Sequence, residues 1–153
     1  DRLIPDVVRS VERGEDLNIR NPSFTRPWQH VLDPLRGYLM LGAELLKGNS
    51  AMAKPWNFGP AENSNVSVMD IVNEASKYLN DQKISFTTEK AKFKESAKLG
   101  IDVTKTETDL GFRNKWDTAE SVQKTLDWYK QVVFENRDAK KITEMHISQY
   151  LSQ

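Results

Sequence analysis

The 153-residue sequence has no cysteine, which excludes disulfides and thiolate-held metals and fits a reducing compartment, the cytoplasm being expected. Neither sign of charge is in excess: Lys plus Arg and Asp plus Glu both number 22. A neutral chain without basic runs argues against nucleic acid or an anionic membrane as the main partner. No apolar run approaches the roughly 18 residues of a membrane span, and no signal-peptide pattern is present. The seven glycines are scattered singly, and none opens a helix after a strand as a phosphate-cradling G-x-G-x-x-G loop would. His30 and His146, the only histidines, lack metal-ligand spacing. There is no G-x-S-x-G elbow and no Tyr followed four residues later by Lys. The chain carries no catalytic constellation of its own.

What the chain does hold is one domain's worth of alternating elements. It begins at Asp1, and Leu3-Ile4-Pro5 reads like the inside of an element, so a fragment is expected. Leu3, Val7, Val8 and Val11 form the apolar stripe of a first helix, ended by Gly14. Leu17 to Arg20 alternates as a short strand, with Asn18 and Arg20 facing away from the core. Arg26 to Leu32 continues extended, because Pro27 disfavours the α region for the residue before it. Asp33 is the expected N-cap of a long helix with Pro34 at its first position, Gly42 as a point of close approach or mere tolerance, and Gly48-Asn49 as its stop. Pro55 to Pro60 reads as a strand running into a turn. Ser67 with Asp70 caps a further helix, and Ile84 to Thr88 is a strand. Residues 89 to 100 are Lys-rich and irregular. Thr104 with Glu107 and Asp117 with Glu120 open two more helices. Residues 135–141 read as a charged linker before a final helix from Ile142 to Leu151. The division is therefore 1–134 as one lobe and 135–153 as linker and terminal helix. Four helices of substance and about four short strands give a small mixed α/β layer, too short in strands for a full doubly wound sheet.

The stretch Ile19 to Leu32 draws attention for chemistry. Arg20 and Arg26 bracket a turn built on Asn21 and Pro22, and Trp28 follows. A guanidinium donates two parallel hydrogen bonds to a phosphate, so two of them beside an aromatic ring suggest a nucleotide or diphosphate; surface ion pairs are the alternative.

Several motifs then fall together. They are Asp1-Arg2-Leu3-Ile4-Pro5-Asp6, Ile19-Arg20-Asn21-Pro22, Arg26-Pro27-Trp28-Gln29-His30-Val31 with Pro34-Leu35 and Gly37-Tyr38, Trp56 to Pro60, Asp109 to Phe112 with Trp116, and Thr125 to Tyr129. In that order and spacing the chain resembles the C-terminal part of the CDP-glucose 4,6-dehydratases, of the extended short-chain dehydrogenase/reductase superfamily. The resemblance implies a lyase of two lobes. An N-terminal Rossmann lobe, absent here, would hold NAD and the catalytic groups, so this part would have neither cofactor nor catalytic residue of its own. This chain would be the substrate-binding lobe for CDP-glucose, in an enzyme that is a homo-oligomer when intact. In the reaction so implied, a hydride leaves C4 of the glucose, water is lost across C5 and C6, and the hydride returns at C6.

Carried over by position, Arg26 would meet the diphosphate, Arg20 and Asn21 the base and ribose, and Arg2 and Leu3 would lie on the substrate-facing segment. Trp28 would wall the pocket or be a plain core aromatic. Lys94 and Glu95 stand where the family usually has His-Glu, and are either a base contact or a solvated charge pair. A lobe of this kind should also expose an apolar patch where the other lobe docks. Two further readings stay open: the same lobe from another nucleotide-sugar epimerase or dehydratase, and a non-enzymatic α/β interaction module.

Overall fold

The computed structural model describes residues 2–60, 66–79, 84–89 and 96–153. The first helix, α1 (Leu3–Arg13), has Pro5 in its first turn and buries Val7 and Val8. Gly14 closes it at φ 64°, a conformation other residues adopt only with strain, and its N–H returns to the carbonyls of Ser10 and Val11. The chain then turns back into β1 (Leu17–Arg20), which packs on α1. Leu17 and Ile19 are buried while Asn18 and Arg20 are exposed, as the two-residue period predicts.

The partner of β1 is β2 (Phe86–Glu89), paired in parallel with Leu17 opposite Phe86 and Arg20 opposite Glu89. A parallel pair cannot be joined by a tight turn, and here the connection runs through two helices, α2 (Leu32–Leu46) and α3 (Val68–Tyr78). After β2 come α4 (Thr104–Leu110), α5 (Thr118–Tyr129) with a π-helical turn at Lys130–Phe134, and α6 (Ala139–Ser152). None of the described helices is long and apolar enough to cross a membrane.

The principal core lies between the sheet and three helices. Val7 and Val8 of α1, Leu17 and Ile19 of β1, Ile71, Val72 and Ala75 of α3, and Val122 and Leu126 of α5 are all buried together. A second, aromatic core joins α2, α4 and α6. Phe58 meets Phe112 edge to face at 5.1 Å, and Trp116 meets both His30 (4.7 Å) and Tyr150 (4.9 Å). Gly37 is the glycine that permits close approach: a Cβ there would lie 2.3 Å from the Phe58 ring. Gly42 faces open space, with nothing within 4 Å of a Cβ.

Several local expectations are overturned. Two strands, not four, are present among the described residues. The Pro55–Pro60 run joins no sheet; its prolines lack donors, and Trp56 and Asn57 instead donate side-chain bonds to the carbonyls of Met52 and Asp102. Helix α2 begins at Leu32, and Asp33 does not cap it. The Asp33 carboxylate is fully buried and accepts from the backbone N–H of Lys115 (2.8 Å) and the hydroxyl of Tyr150 (2.6 Å). His30 takes over the cap, its Nδ1 accepting from the N–H of Leu32 at 3.2 Å. At α4 the Thr104–Glu107 capping box does not form: the Asp102 carboxylate accepts from the Thr104 N–H, and Glu107 lies 3.7 Å from Arg113. Helix α6 starts three residues before Ile142, because Asp138 caps it through the N–H of Lys141. The caps at Ser67–Asp70 and Asp117–Glu120 form as expected.

Candidate functional site

The loop from Asn21 to Trp28 leaves the carboxyl end of β1 and ties three segments together. Asn21 adopts φ 53°, the left-handed region that asparagine tolerates best after glycine, and its carbonyl accepts from the Phe24 N–H to close a turn. The first N–H groups of any helix lack partners within it. In α3 those of Val68 and Met69 are met by the carbonyls of Phe24 and Pro22, and that of Asp70 by the Ser67 hydroxyl. Thr25 bridges both Ser67 and Lys98, which anchors the segment after β2 on the same loop.

Arg26 reinforces that anchor. Its Nη1 donates to the carbonyls of Thr25 (2.8 Å) and Ser96 (3.1 Å), and its guanidinium carbon lies 5.4 Å from the centre of the Phe24 ring. Arg20 and Asn21 end β1 beside it, Arg20 exposed and Asn21 half-buried. Trp28 is half-buried against the principal core and donates its indole N–H to the Val66 carbonyl at 3.0 Å. Leu3 also packs on that core, and Arg2, exposed, precedes α1 in extended conformation. Because α1 and β1 are joined by a short turn and pack together, the start of the helix and the end of the strand share one end of the layer. Arg2, Arg20 and Asn21 therefore belong to the same end of the fold as the loop that carries Arg26. Lys94 and Glu95 lie outside the described residues.

Sequence reading missed two polar networks, one buried around Asp33 and one half-buried around Asp127. In the first, Tyr150 donates to Asp33 and accepts from Arg36 Nε at 3.1 Å, while Lys115 Nζ donates to the Tyr150 carbonyl at 2.8 Å. Burial, and then the bond to Asp33, push the Tyr150 hydroxyl up to about 12. In the second, Asp127 accepts from Tyr78 (2.9 Å) and Gln131 (2.6 Å) and pairs with His146 Nε2 at 3.0 Å. Burial raises the Asp127 carboxyl, but the bonds from Tyr78, His146 and Gln131 outweigh it and leave it below its usual range. Apart from Gln131 and Asp127, four residues from each other, the partners in these networks lie 19 to 117 residues apart, beyond any spacing motif. Among the described residues, no cluster of three His, Asp or Glu could hold a metal.

His30 gives the site region an acid sensitivity. Burial chiefly, with the nearby His146 and Lys124 charges, lowers its pKa from 6.5 to about 4. The folded protein thus keeps the ring neutral, which lets Nδ1 accept from Leu32. As pH falls from 6.5 towards 4, the unfolded chain takes up a proton that the folded one refuses, so stability declines through that window. The expected loss between pH 6.5 and 4.5 is about 2 kcal/mol. Urea unfolding at the two pH values checks it, and His30→Gln should remove most of the difference.

No family model matches the chain. Among curated proteins, CDP-glucose 4,6-dehydratase from Salmonella typhimurium is 32% identical over 152 residues, 99% of this chain and 42% of that protein. This chain is a relative of CDP-glucose 4,6-dehydratase. It spans less than half of the dehydratase's length. Solved structures share the fold. UDP-glucuronic acid 4-epimerase from Bacillus cereus, in complex with UDP-glucuronic acid and NAD, superposes with a TM-score of 0.71 at 19% identity, over 86% of this chain and 40% of that one. The dTDP-glucose 4,6-dehydratase from Bacillus anthracis, in complex with NAD, gives 0.65 at 18%, over 85% and 39%. WbmF from Bordetella bronchiseptica, in complex with NAD+ and UDP, gives 0.62 at 18%, over 99% and 42%. At such identities the structural likeness speaks for the mixed α/β fold, while the likeness to the dehydratase rests on sequence.

Proposed function

We propose that this chain is the C-terminal, nucleotide-sugar-binding part of an NAD-dependent CDP-glucose 4,6-dehydratase. The observation that carries the reading is the 32% identity to that enzyme along nearly the whole chain. The geometry supports it. Arg20 and Asn21 stand at the carboxyl end of a parallel strand pair, and Arg26 follows in the loop leaving that end; ligands bind there in open α/β sheets. In this reading the Arg26 fork meets the diphosphate, Arg20 and Asn21 meet base and ribose, and Arg2 and Leu3 border the substrate. Trp28, held by Val66 and the core, fixes the loop from beneath.

The residues of this chain do not suit the dinucleotide. The connection from β1 to α2 contains no glycine. Gly14 and Gly111 end helices in the left-handed conformation, and Gly37 lies beneath Phe58. In this reading the redox step belongs to the rest of the enzyme. A second reading, the same part of an epimerase or dehydratase for another nucleotide sugar, draws on the shared fold with the UDP-glucuronic acid epimerase.

The test is product analysis. The full-length polypeptide containing these residues should convert CDP-glucose with NAD into CDP-4-keto-6-deoxyglucose, and the 153-residue chain alone should not. A keto-sugar made by the 153-residue chain would overturn this division of roles, and a full-length protein inert on CDP-glucose would overturn the substrate.

A further inference from the structure

The loop from Asn21 to Trp28 carries two aromatic side chains, and only one of them serves a core. Trp28 packs on the principal core and is tied to Val66, whereas Phe24 belongs to neither core among the described residues. The Phe24 ring is half-buried, and the Arg26 guanidinium lies against it, 5.4 Å from the ring centre. A flat apolar partner laid on the rest of that ring would remove its remaining surface from water, which is favourable. The backbone that carries the ring is held on both sides. The Phe24 N–H donates to the Asn21 carbonyl at 3.0 Å, and the Phe24 carbonyl accepts from the N–H of Val68 at 2.9 Å. Thr25, next along, donates to the carbonyl of Ala97 and accepts from the N–H of Leu99. The ring thus stands on a frame fixed before any ligand arrives, which lowers the ordering cost of binding.

The turn closed between Asn21 and Phe24 brings these two residues together just past the carboxyl end of β1. Asn21 offers hydrogen bonds to the edge of a base, Phe24 a face for it to lie on, and Arg26 a charge beside that face. A nucleoside diphosphate has its groups in the matching order: a flat base, a ribose, then the phosphates. We infer that Phe24 is the platform on which the nucleobase stacks. This rests on the reading of the chain as a nucleotide-sugar-binding part. It adds a division of labour within the loop. Every base has a π face, so stacking on Phe24 supplies affinity without choosing among bases. The choice stays with the hydrogen-bonding side chains of Arg20 and Asn21.

Titration of the full-length polypeptide with cytidine, CDP-glucose and UDP-glucose tests it. Phe24→Ala should weaken cytidine and CDP-glucose by the same factor, roughly tenfold to a hundredfold, as loss of one stacking ring does. UDP-glucose should weaken alongside, so that the order of preference between the two sugars is unchanged. Phe24→Tyr should bind cytidine nearly as the wild type does. Phe24→Leu, with apolar bulk but no π face, should stay weakened, and it carries the test if the alanine variant does not fold. Cytidine bound equally by Phe24→Leu and the wild type would overturn the inference, because the ring would then only fill space. CDP-glucose weakened in Phe24→Ala with cytidine unchanged would also overturn it, because the ring would then only prop Arg26. A wild type that binds CDP-glucose while either of those results holds keeps the substrate reading and rejects the platform. A wild type that binds none of the three ligands rejects both.

Discussion

Replacing Trp116 with Ala is expected to destabilise the protein by about 3–5 kcal/mol, since large aromatic side chains removed from a core leave a cavity that closes only partly. Trp116 is 2% exposed, and it joins residues far apart in the chain. Its ring meets His30 ahead of α2 and Tyr150 on α6 edge to face, and its indole N–H donates to Gln153. The Tyr150 ring is in turn what brings a hydroxyl to the buried Asp33 carboxylate. Loss of Trp116 thus loosens one of the two hydrogen bonds that the Asp33 carboxylate accepts, from the Tyr150 hydroxyl and the Lys115 backbone N–H. For a chain of this size the melting temperature should fall by roughly 6–20 °C. Trp116→Phe keeps a ring in the cluster and should cost clearly less. Calorimetric melting of both variants checks this, and a Trp116→Ala protein melting with the wild type would contradict the packing described.

The second large effect concerns binding. Arg26→Lys in the full-length polypeptide should weaken CDP-glucose binding roughly tenfold to a hundredfold, because a hydrogen bond to a charged group is worth about 1.5–3 kcal/mol. The ammonium keeps the charge but loses the planar fork that meets two phosphate oxygens together. Cytidine, which lacks the diphosphate, should bind the variant as it binds the wild type. Equal weakening of both ligands would mean that Arg26 shapes the loop and does not touch phosphate.

How far these features were legible in the sequence depended on how far apart the partners lie. Helix α1 with its Gly14 stop, the alternation of β1 and the caps at Ser67 and Asp117 are set by neighbours a few residues away, and all four stand as read. Asp33 misled because Asp before Pro is a strong local cap signal. Its actual partners, Lys115 and Tyr150, are 82 and 117 positions distant. Thr104 misled for a local reason: Asp102, two residues earlier, takes the Thr104 N–H that Glu107 would accept in a capping box. The apolar stripe of α2 that includes Leu39 and Leu46, both exposed, was written in the sequence as helical periodicity, but periodicity does not say which face is in. Only the inward turn of Asp33 and Arg36 does. At the candidate site, Arg20 and Arg26 around the turn at Asn21 and Pro22 read as a phosphate-type motif, whereas the role of the loop as cap of α3 depends on Val68 and Met69, over 40 residues on.

The central claim is that this chain recognises a CDP-linked sugar, and calorimetric titration of the full-length polypeptide tests it most directly. CDP-glucose, UDP-glucose, dTDP-glucose and GDP-glucose are each titrated with NAD present. The account predicts one-site binding with CDP-glucose the tightest of the four, and cytidine diphosphate retaining much of that affinity. Tighter binding of any of the other three sugars, or heat from none, would contradict it.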